Sequence, residues 1–251
     1  GRSSGRETIG RVAAGAIAAK LLQELGIEVR AYTKAIGGIS ITSENFSWNE
    51  MENNRLYMPD AVAAKAAESL LDSMMEETDS LGGVVECVIT GLPAGVGEPV
   101  FDKLDANLAK AVFSIGAVKG FEIGDGFMAA ESRGSLNNDS FCVGEHGEIE
   151  KATNHAGGIL GGISDGSAVV FRAAFKPTPS IALAQKTVNQ KGEETVLEIK
   201  GRHDPVIVPR AVVVVEAMAA LTVADLVIQG MGSRVDKLKP WMAVKHLGEK
   251  I

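Results

Sequence analysis

The chain has 251 residues, enough for one large domain or two small ones with a substantial buried core. Hydrophobic residues make up 45% and charged residues 23%, an ordinary globular composition. A net charge of −7 and a pI near 5.2 exclude a general nucleic-acid binder, while leaving room for a locally basic pocket. Two cysteines, Cys87 and Cys142, are too few for a disulfide framework and suit a reducing cytoplasm.

Gly1 to Thr8 reads like the middle of a site, and up to Arg11 there is no apolar core of a secretory signal. Arg2, Ser3, Ser4 and Arg6 stand just before a helix, where guanidinium groups, hydroxyls and free amides form a phosphate cradle. GRSSG taken alone equally suits a flexible linker. Ser4 or Thr8 caps the helix, whose stripe is Ile9, Val12, Ala13, Ala16, Ile17, Leu21 and Leu22, and Gly26 ends it. A strand over Ile27–Ile36 follows, then mostly loop over 37–58, then a helix from Asp60 through Ala61–Met75. Gly82-Gly83 turns the chain into a strand over Val84–Thr90, and Gly91–Pro99 is an irregular loop. A helix over Lys103–Phe113 and a strand over Gly120–Ile123 continue the helix–strand rhythm, which by itself predicts a parallel α/β sheet.

The middle is the glycine-rich part of a chain with 29 glycines. SIGAVKG (114–120) leads to a polar, mobile stretch over Glu131–Glu150, then to TNHAGGILGGISDG (153–166). The latter lacks the Gly-Lys-Ser/Thr of a P-loop and the preceding strand of a dinucleotide fingerprint. Glycine at this density still suggests backbone pressed against a ligand. His155 is either a ligand or acid, or a loop histidine fixed by hydrogen bonds. Strands over Ala168–Phe175 and Thr187–Lys200 flank KPTPS (176–180), a second candidate phosphate site with an ammonium and two hydroxyls on a proline-stiffened loop. The cysteines and histidines, at 87, 142, 146, 155, 203 and 246, have no metal-ligand spacing, and no Gly-x-Ser-x-Gly elbow occurs.

Arg202-His203-Asp204-Pro205 sets a cation, an imidazole and a carboxylate side by side, as acid–base work beside an anion requires or as a polar turn capping a core helix would also look. The apolar run Ala211–Ile228 approaches membrane-span length, but Glu216 and Asp225 inside it argue for a buried core helix.

GRSSGRETIGRVAAGAI (1–17) and RHDPVIVPRAVVVVEAM (202–218) resemble the two signatures of the chorismate synthase family. DSLGGVVE, GLPAGVGEPVFDKLDA, SIGAVKGFEIGDGF, TNHAGGILGGISDG and KPTPSI resemble further family segments in the family order, so the resemblance covers nearly the whole chain. It implies an α+β fold, a β–α–β sandwich of antiparallel sheets around a helical core, in one domain over 1–251 that assembles as a homotetramer. The implied reaction is loss of phosphate and a C6 hydrogen from 5-enolpyruvylshikimate 3-phosphate to give chorismate, with reduced FMN and no net redox change. Arg2, Ser3, Ser4, Gly116, Ala117 and Gly161 are implied to contact FMN, and Lys176, Pro177, Thr178, Pro179 and Ser180 its phosphate end. Arg202 is implied to lie near both flavin and substrate, Arg6 to bind the anionic substrate, and Asp204 to manage a proton beside the flavin. No nucleic-acid or membrane partner is implied. The source of flavin reduction, an intrinsic NADP-linked function or an outside reductant, stays open.

Family members are about a third longer, and the part without a counterpart here, ahead of Gly1, carries catalytic histidines and substrate arginines. The expectation is therefore a partial chain that does not turn over alone and exposes sheet edges and apolar surface. A non-catalytic flavin- or phosphate-binding module is the alternative.

Overall fold

A computed structural model describes residues 4–145, 147, 149–201 and 203–246. In chain order the elements are α1 (Thr8–Glu24), β1 (Glu28–Ile36), β2 (Ile39–Ser40), α2 (Trp48–Asn53), α3 (Ala61–Glu76), β3 (Gly83–Thr90), α4 (Leu104–Phe113), β4 (Val118–Ile123) and α5 (Gly134–Asn137). They continue with β5 (Phe141–Val143), β6 (Ile149–Lys151), β7 (Ile159–Leu160), β8 (Ile163–Ser164), β9 (Val169–Phe175), β10 (Gln185–Val188), β11 (Glu194–Leu197), α6 (Val208–Gly232) and α7 (Val235–His246).

Among the described residues, five strands form one sheet in the order β2-β1-β3-β9-β4, every pair antiparallel, and six more form three two-stranded ribbons. The parallel sheet expected from the helix–strand rhythm is thus corrected. Alternation fixes no strand direction, and β9, far along the chain, inserts between β3 and β4. The α+β class with antiparallel sheets holds.

Alternation along the strands decides which face is core. Val85, Cys87 and Ile89 of β3 and Val169, Phe171, Ala173 and Phe175 of β9 are buried. Helix α6 packs on β1 and β3, and α1 and α4 pack on α6. Helix α6 is long and apolar enough to cross a membrane by composition, yet over half of its most apolar window is buried within the protein, as a core helix should be. Cys87 is buried and Cys142 exposed, both as free thiols.

Boundaries follow local chemistry. Ser4 caps the 3-10 turn Gly5–Glu7 ahead of α1, its hydroxyl accepting from the Arg6 amide, and Gly26 ends α1 with φ +75°. Thr187–Lys200 is not one strand but the β10–β11 hairpin. The Asn189 side chain accepts from the Lys191 and Glu193 amides, and Gly192 turns with φ +81°. The stretch 37–58 holds β2 and α2, and the polar stretch 131–150 holds α5, β5 and part of β6. The apolar stripe read along α1 is mostly not its buried side: Ile9, Ile17 and Leu21 face solvent, as does Val213 of α6, while Gly15, Ala18 and Leu22 are the buried residues of α1.

Asp60 caps α3 from a buried position. One carboxylate oxygen accepts from the Val62 and Ala63 amides at 2.9 and 3.0 Å, the other from the amide and hydroxyl of Thr42 at 3.1 and 3.3 Å. Burial alone pushes the carboxyl up, but the amides of Ala63, Thr42 and Val62 outweigh it and hold the pKa below the ordinary aspartate value. Asp60→Ala is expected to cost about 2–3 kcal/mol in urea unfolding at pH 7. With the folded pKa depressed, this contribution is complete above the unfolded aspartate value of about 4 and disappears as pH falls through the folded one. Wild type and variant therefore converge in stability on acidification.

Candidate functional site

Three of the segments singled out in the sequence meet at one end of the sheet. β9 ends at Phe175 and runs into Lys176–Ser180, and the Lys176 amide donates to the Ala117 carbonyl at 3.0 Å, joining that strap to the loop before β4. Ser80 donates its hydroxyl to the Thr178 carbonyl at 2.7 Å. The next amide, Leu81, donates to the Pro205 carbonyl at 2.7 Å, and Leu81 pairs with Val206 in a parallel bridge. Gly82 completes this junction because a Cβ there would stand 2.5 Å from the Phe175 carbonyl oxygen. The four residues Ser80–Gly83 therefore tie the strap 176–180 to His203–Val206.

Arg11 brings α1 to the same end. Its guanidinium donates to the Ser114 hydroxyl at 2.5 Å and carbonyl at 3.3 Å, while Nε pairs with Glu7 at 2.9 Å. Exposed Arg6 and the capping Ser4 lie just upstream of it in the turn that precedes α1, and Arg6 makes no ion pair among the described residues. Arg2, Ser3 and Arg202 lie outside the described residues.

Ala117 is held at φ +72°, a left-handed conformation that a residue with a Cβ adopts only under local constraint. Gly116 faces open space: a Cβ would meet nothing within 4 Å. Gly161 stands elsewhere. It begins the Gly161-Gly162 turn of the β7–β8 hairpin, φ +62° and +86°, and the Gly162 carbonyl accepts from the Leu104 amide at the start of α4. Gly116 follows the other end of α4, so the two glycines are separated by a helix of roughly 15 Å at 1.5 Å per residue.

Asp204 is clamped. Arg210, on the first turn of α6, reaches back with Nη1 to Oδ2 at 2.6 Å and Nη2 to Oδ1 at 3.0 Å, a bidentate pair. His203 faces away from this pair, with Nε2 2.8 Å from the Ile199 carbonyl; since a carbonyl only accepts, Nε2 carries the proton. Arg210 lies inside the 202–218 segment, yet no motif in the sequence points to it, to Arg11 or to Ser80.

His155 is the fixed loop histidine of the two readings. Asp139 accepts from its amide at 2.7 Å, from Nδ1 at 2.9 Å, from the Ala156 amide at 3.0 Å and from Thr153 at 2.8 Å. Burial pushes the Asp139 carboxyl up, but the Ala156 and His155 amides and the two side-chain bonds bring it down to about 2. This cluster adjoins the start of β9, the far end of that strand from the strap. A cavity of about 790 Å³ touches Pro205, Pro209 and Arg210 from behind, with Arg55, Asp72 and Glu216 on its other walls, but none of Ser4, Gly116, Ala117, Gly161 or Lys176–Ser180 lines it. No group of three metal-ligating side chains occurs among the described residues.

A flavin nucleotide needs donors for its phosphate and backbone left bare for close approach. The strap and its neighbour loop supply both: Lys176 without an ion pair, the hydroxyl of Ser180, the buried Thr178 hydroxyl without a partner among the described residues, and the open Cα of Gly116. The residues present fit the group at this end.

Fold and site together define an α+β protein in which one end of an antiparallel sheet, backed by a long core helix, gathers the 114–117 loop, the 176–180 strap and the Asp204 turn. The family model for chorismate synthase matches residues 1–228, and the chain belongs to that family. It is 62% identical over 238 residues to the chorismate synthase of Agathobacter rectalis, covering 95% of this chain and 65% of the relative. It is 53% identical over 235 residues to that of Gloeothece citriformis, covering 92% and 65%. A crystal structure of chorismate synthase superposes with a TM-score of 0.76 at 31% identity, covering 91% of this chain and 65% of that one. The chain thus spans about 65% of the length of these relatives, which are longer than it by more than the third expected from the resemblance.

Proposed function

We propose that the chain carries the flavin-binding and proton-handling part of a chorismate synthase, which converts 5-enolpyruvylshikimate 3-phosphate to chorismate and phosphate. The observation behind this reading is the junction at Ser80–Gly83, which draws the 114–117 loop, the 176–180 strap and the Asp204 turn to one end of the sheet. Lys176, Thr178 and Ser180 bind the phosphate end of FMN, with Pro177 and Pro179 stiffening the strap; Gly116 and Ala117 take its close approach, and Gly161 its contact beyond α4. Arg2, Ser3, Ser4 and Arg202 complete the flavin contacts. Reduced FMN, when bound, supplies the electron density that favours loss of an allylic phosphate without net redox change. Arg6 and Arg202 hold the anionic substrate. Asp204, oriented by both guanidinium bonds of Arg210, holds or releases a proton at its carboxylate oxygens. The same reading includes a single domain over 1–251, a cytoplasmic homotetramer, and no nucleic-acid or membrane partner.

The test is chorismate formation with anaerobically reduced FMN, run on this chain and on a chimera in which it replaces its counterpart in the Agathobacter rectalis relative. Turnover in the chimera supports the reading, with or without turnover in the isolated chain. A chimera that folds, binds FMN and makes no chorismate favours the non-catalytic binding module instead.

A further inference from the structure

We propose that Ser80 is a positioning residue for the phosphate end of the flavin site, acting through Thr178. The proposal rests on the reading of Lys176–Ser180 as the flavin-phosphate strap.

Pro177 and Pro179 leave the strap with amides only at Lys176, Thr178 and Ser180, so it has few ways to fix itself. Lys176 anchors its start on Ala117. Beyond that point, the Ser80 hydroxyl bond to the Thr178 carbonyl is the one hydrogen bond onto the strap among the described residues. Ser80 is itself rigid. It is buried, its amide donates to Asp79 at 2.7 Å, and the next two residues are fixed by the Pro205 carbonyl and by the tight fit of Gly82 on Phe175 and Pro177. A donor held this firmly sets the backbone of Thr178, and with it the direction of the Thr178 side chain.

That side chain holds a hydroxyl buried without a partner. A desolvated hydroxyl with no partner is unfavourable, and one reason a fold retains it is that a ligand supplies the acceptor. Thr178 as a whole is only half-buried, so rotation about χ1 exchanges hydroxyl and methyl and hands the hydroxyl to a phosphate oxygen while Ser80 keeps the backbone in place. Ser80 thereby acts on the phosphate end of the ligand and on no other part of it.

FMN and riboflavin share the ring and differ at that end, so their affinities separate the roles. Quenching of flavin fluorescence is titrated with each ligand on wild type, Ser80→Ala, Thr178→Val and the double variant. Wild type is expected to prefer FMN, with Ser80→Ala weakening FMN about fivefold to tenfold and leaving riboflavin unchanged. Thr178→Val should weaken FMN similarly without lowering the thermal midpoint of the free protein, since it removes an unpaired hydroxyl. The double variant should be no weaker than the weaker single one, as two residues acting in series require. If wild type shows no preference for FMN, the strap reading falls and this proposal with it. If wild type prefers FMN but Ser80→Ala keeps the whole preference, or loses both ligands equally, the strap reading stands and the role of Ser80 is overturned.

Discussion

Gly15→Leu should destabilise the protein by about 4 kcal/mol or more, a large share of the roughly 5–15 kcal/mol that a folded protein of this kind has in total. Helices α1 and α6 meet backbone to backbone at this point, and a Cβ on Gly15 would stand 2.5 Å from the Ala217 Cα. No rotamer relieves a clash with backbone, so the helices must part, and they carry with them Ala18 and Leu22 on one side and Ala217 and Ala220 on the other. Even Gly15→Ala sets two effects against each other. Alanine gains about 1 kcal/mol of helix propensity, while the same Cβ contact costs about 1–3 kcal/mol, and the contact wins because neither helix can yield alone. Gly10, on the same helix with nothing within 4 Å of its would-be Cβ, shows the opposite sign: Gly10→Ala should stabilise by roughly 0.5–1 kcal/mol. Urea midpoints of the three variants check the order, and an unchanged m-value for Gly10→Ala certifies the comparison.

The extent of α1 was legible because a capping serine precedes it and glycine ends it, though of its apolar stripe only Leu22 is buried; α6 was legible because its apolar run is too long for a strand. The same residues did not reveal that α1 approaches α6 so closely. Gly15 reads as a weak point in a helix until Ala217 stands opposite it. Strand direction was illegible for a similar reason. β9 alternates buried and half-buried residues in perfect period, but only its pairing with β3 and β4, some 85 and 50 residues upstream (compare Glu86↔Arg172 and Glu122↔Arg172), makes the sheet antiparallel. The hairpin at 185–197 does have a sequence signal: Asn189 and Gly192 mark a turn within a run that otherwise has strand composition.

The candidate site divides along the same line. Segments whose chemistry shows in a short motif, the strap, the 114–117 loop and the Asp204 turn, could be proposed from sequence, and they come together at one end of the sheet. Residues that act by joining motifs could not be proposed in this way. Ser80 meets Thr178 across 98 positions, and Arg11 meets Ser114 across 103; no spacing rule connects either pair. Arg210 is nearer, six residues from Asp204, but the pair closes because α6 starts at Val208, with Pro209 in its first turn, and the arginine reaches back over the preceding loop. His155 had two readings, and Asp139, 16 residues before it in a stretch read as mobile loop, decides between them.

Arg172→Met should cost about 3 kcal/mol, and the double variant with Glu86→Gln should recover a large part of that. On the sheet face opposite α6, Tyr32, Glu86, Arg172 and Glu122 are register partners on β1, β3, β9 and β4, one row across four strands. Arg172 bonds Glu122 through Nε at 2.6 Å and Glu86 through Nη1 at 3.2 Å, and also donates to the Gly124 carbonyl. Glu86, 6% exposed, also accepts from the Tyr32 hydroxyl and faces Lys34 Nζ at 3.5 Å. Burial and then the Glu86 charge push the Tyr32 phenol up, so at neutral pH it is a hydrogen-bond donor. Removing Arg172 leaves the Glu86 carboxylate buried with only Lys34, at longer range and partly in solvent, to balance it; breaking one side of such a pair costs about 3–5 kcal/mol, and Lys34 lowers the figure. Glutamine at 86 removes the unbalanced charge while keeping an acceptor for Tyr32, hence the recovery. If the two losses simply add, the row is not a coupled unit and the stabilisation lies in the flanking apolar contacts. The position also bears on the site: β9 runs from Arg172 through Phe175 directly into Lys176, and β4 begins one residue after Ala117. Losing the row loosens both strands where they deliver their loops, so the single variant should also bind FMN more weakly than the double one.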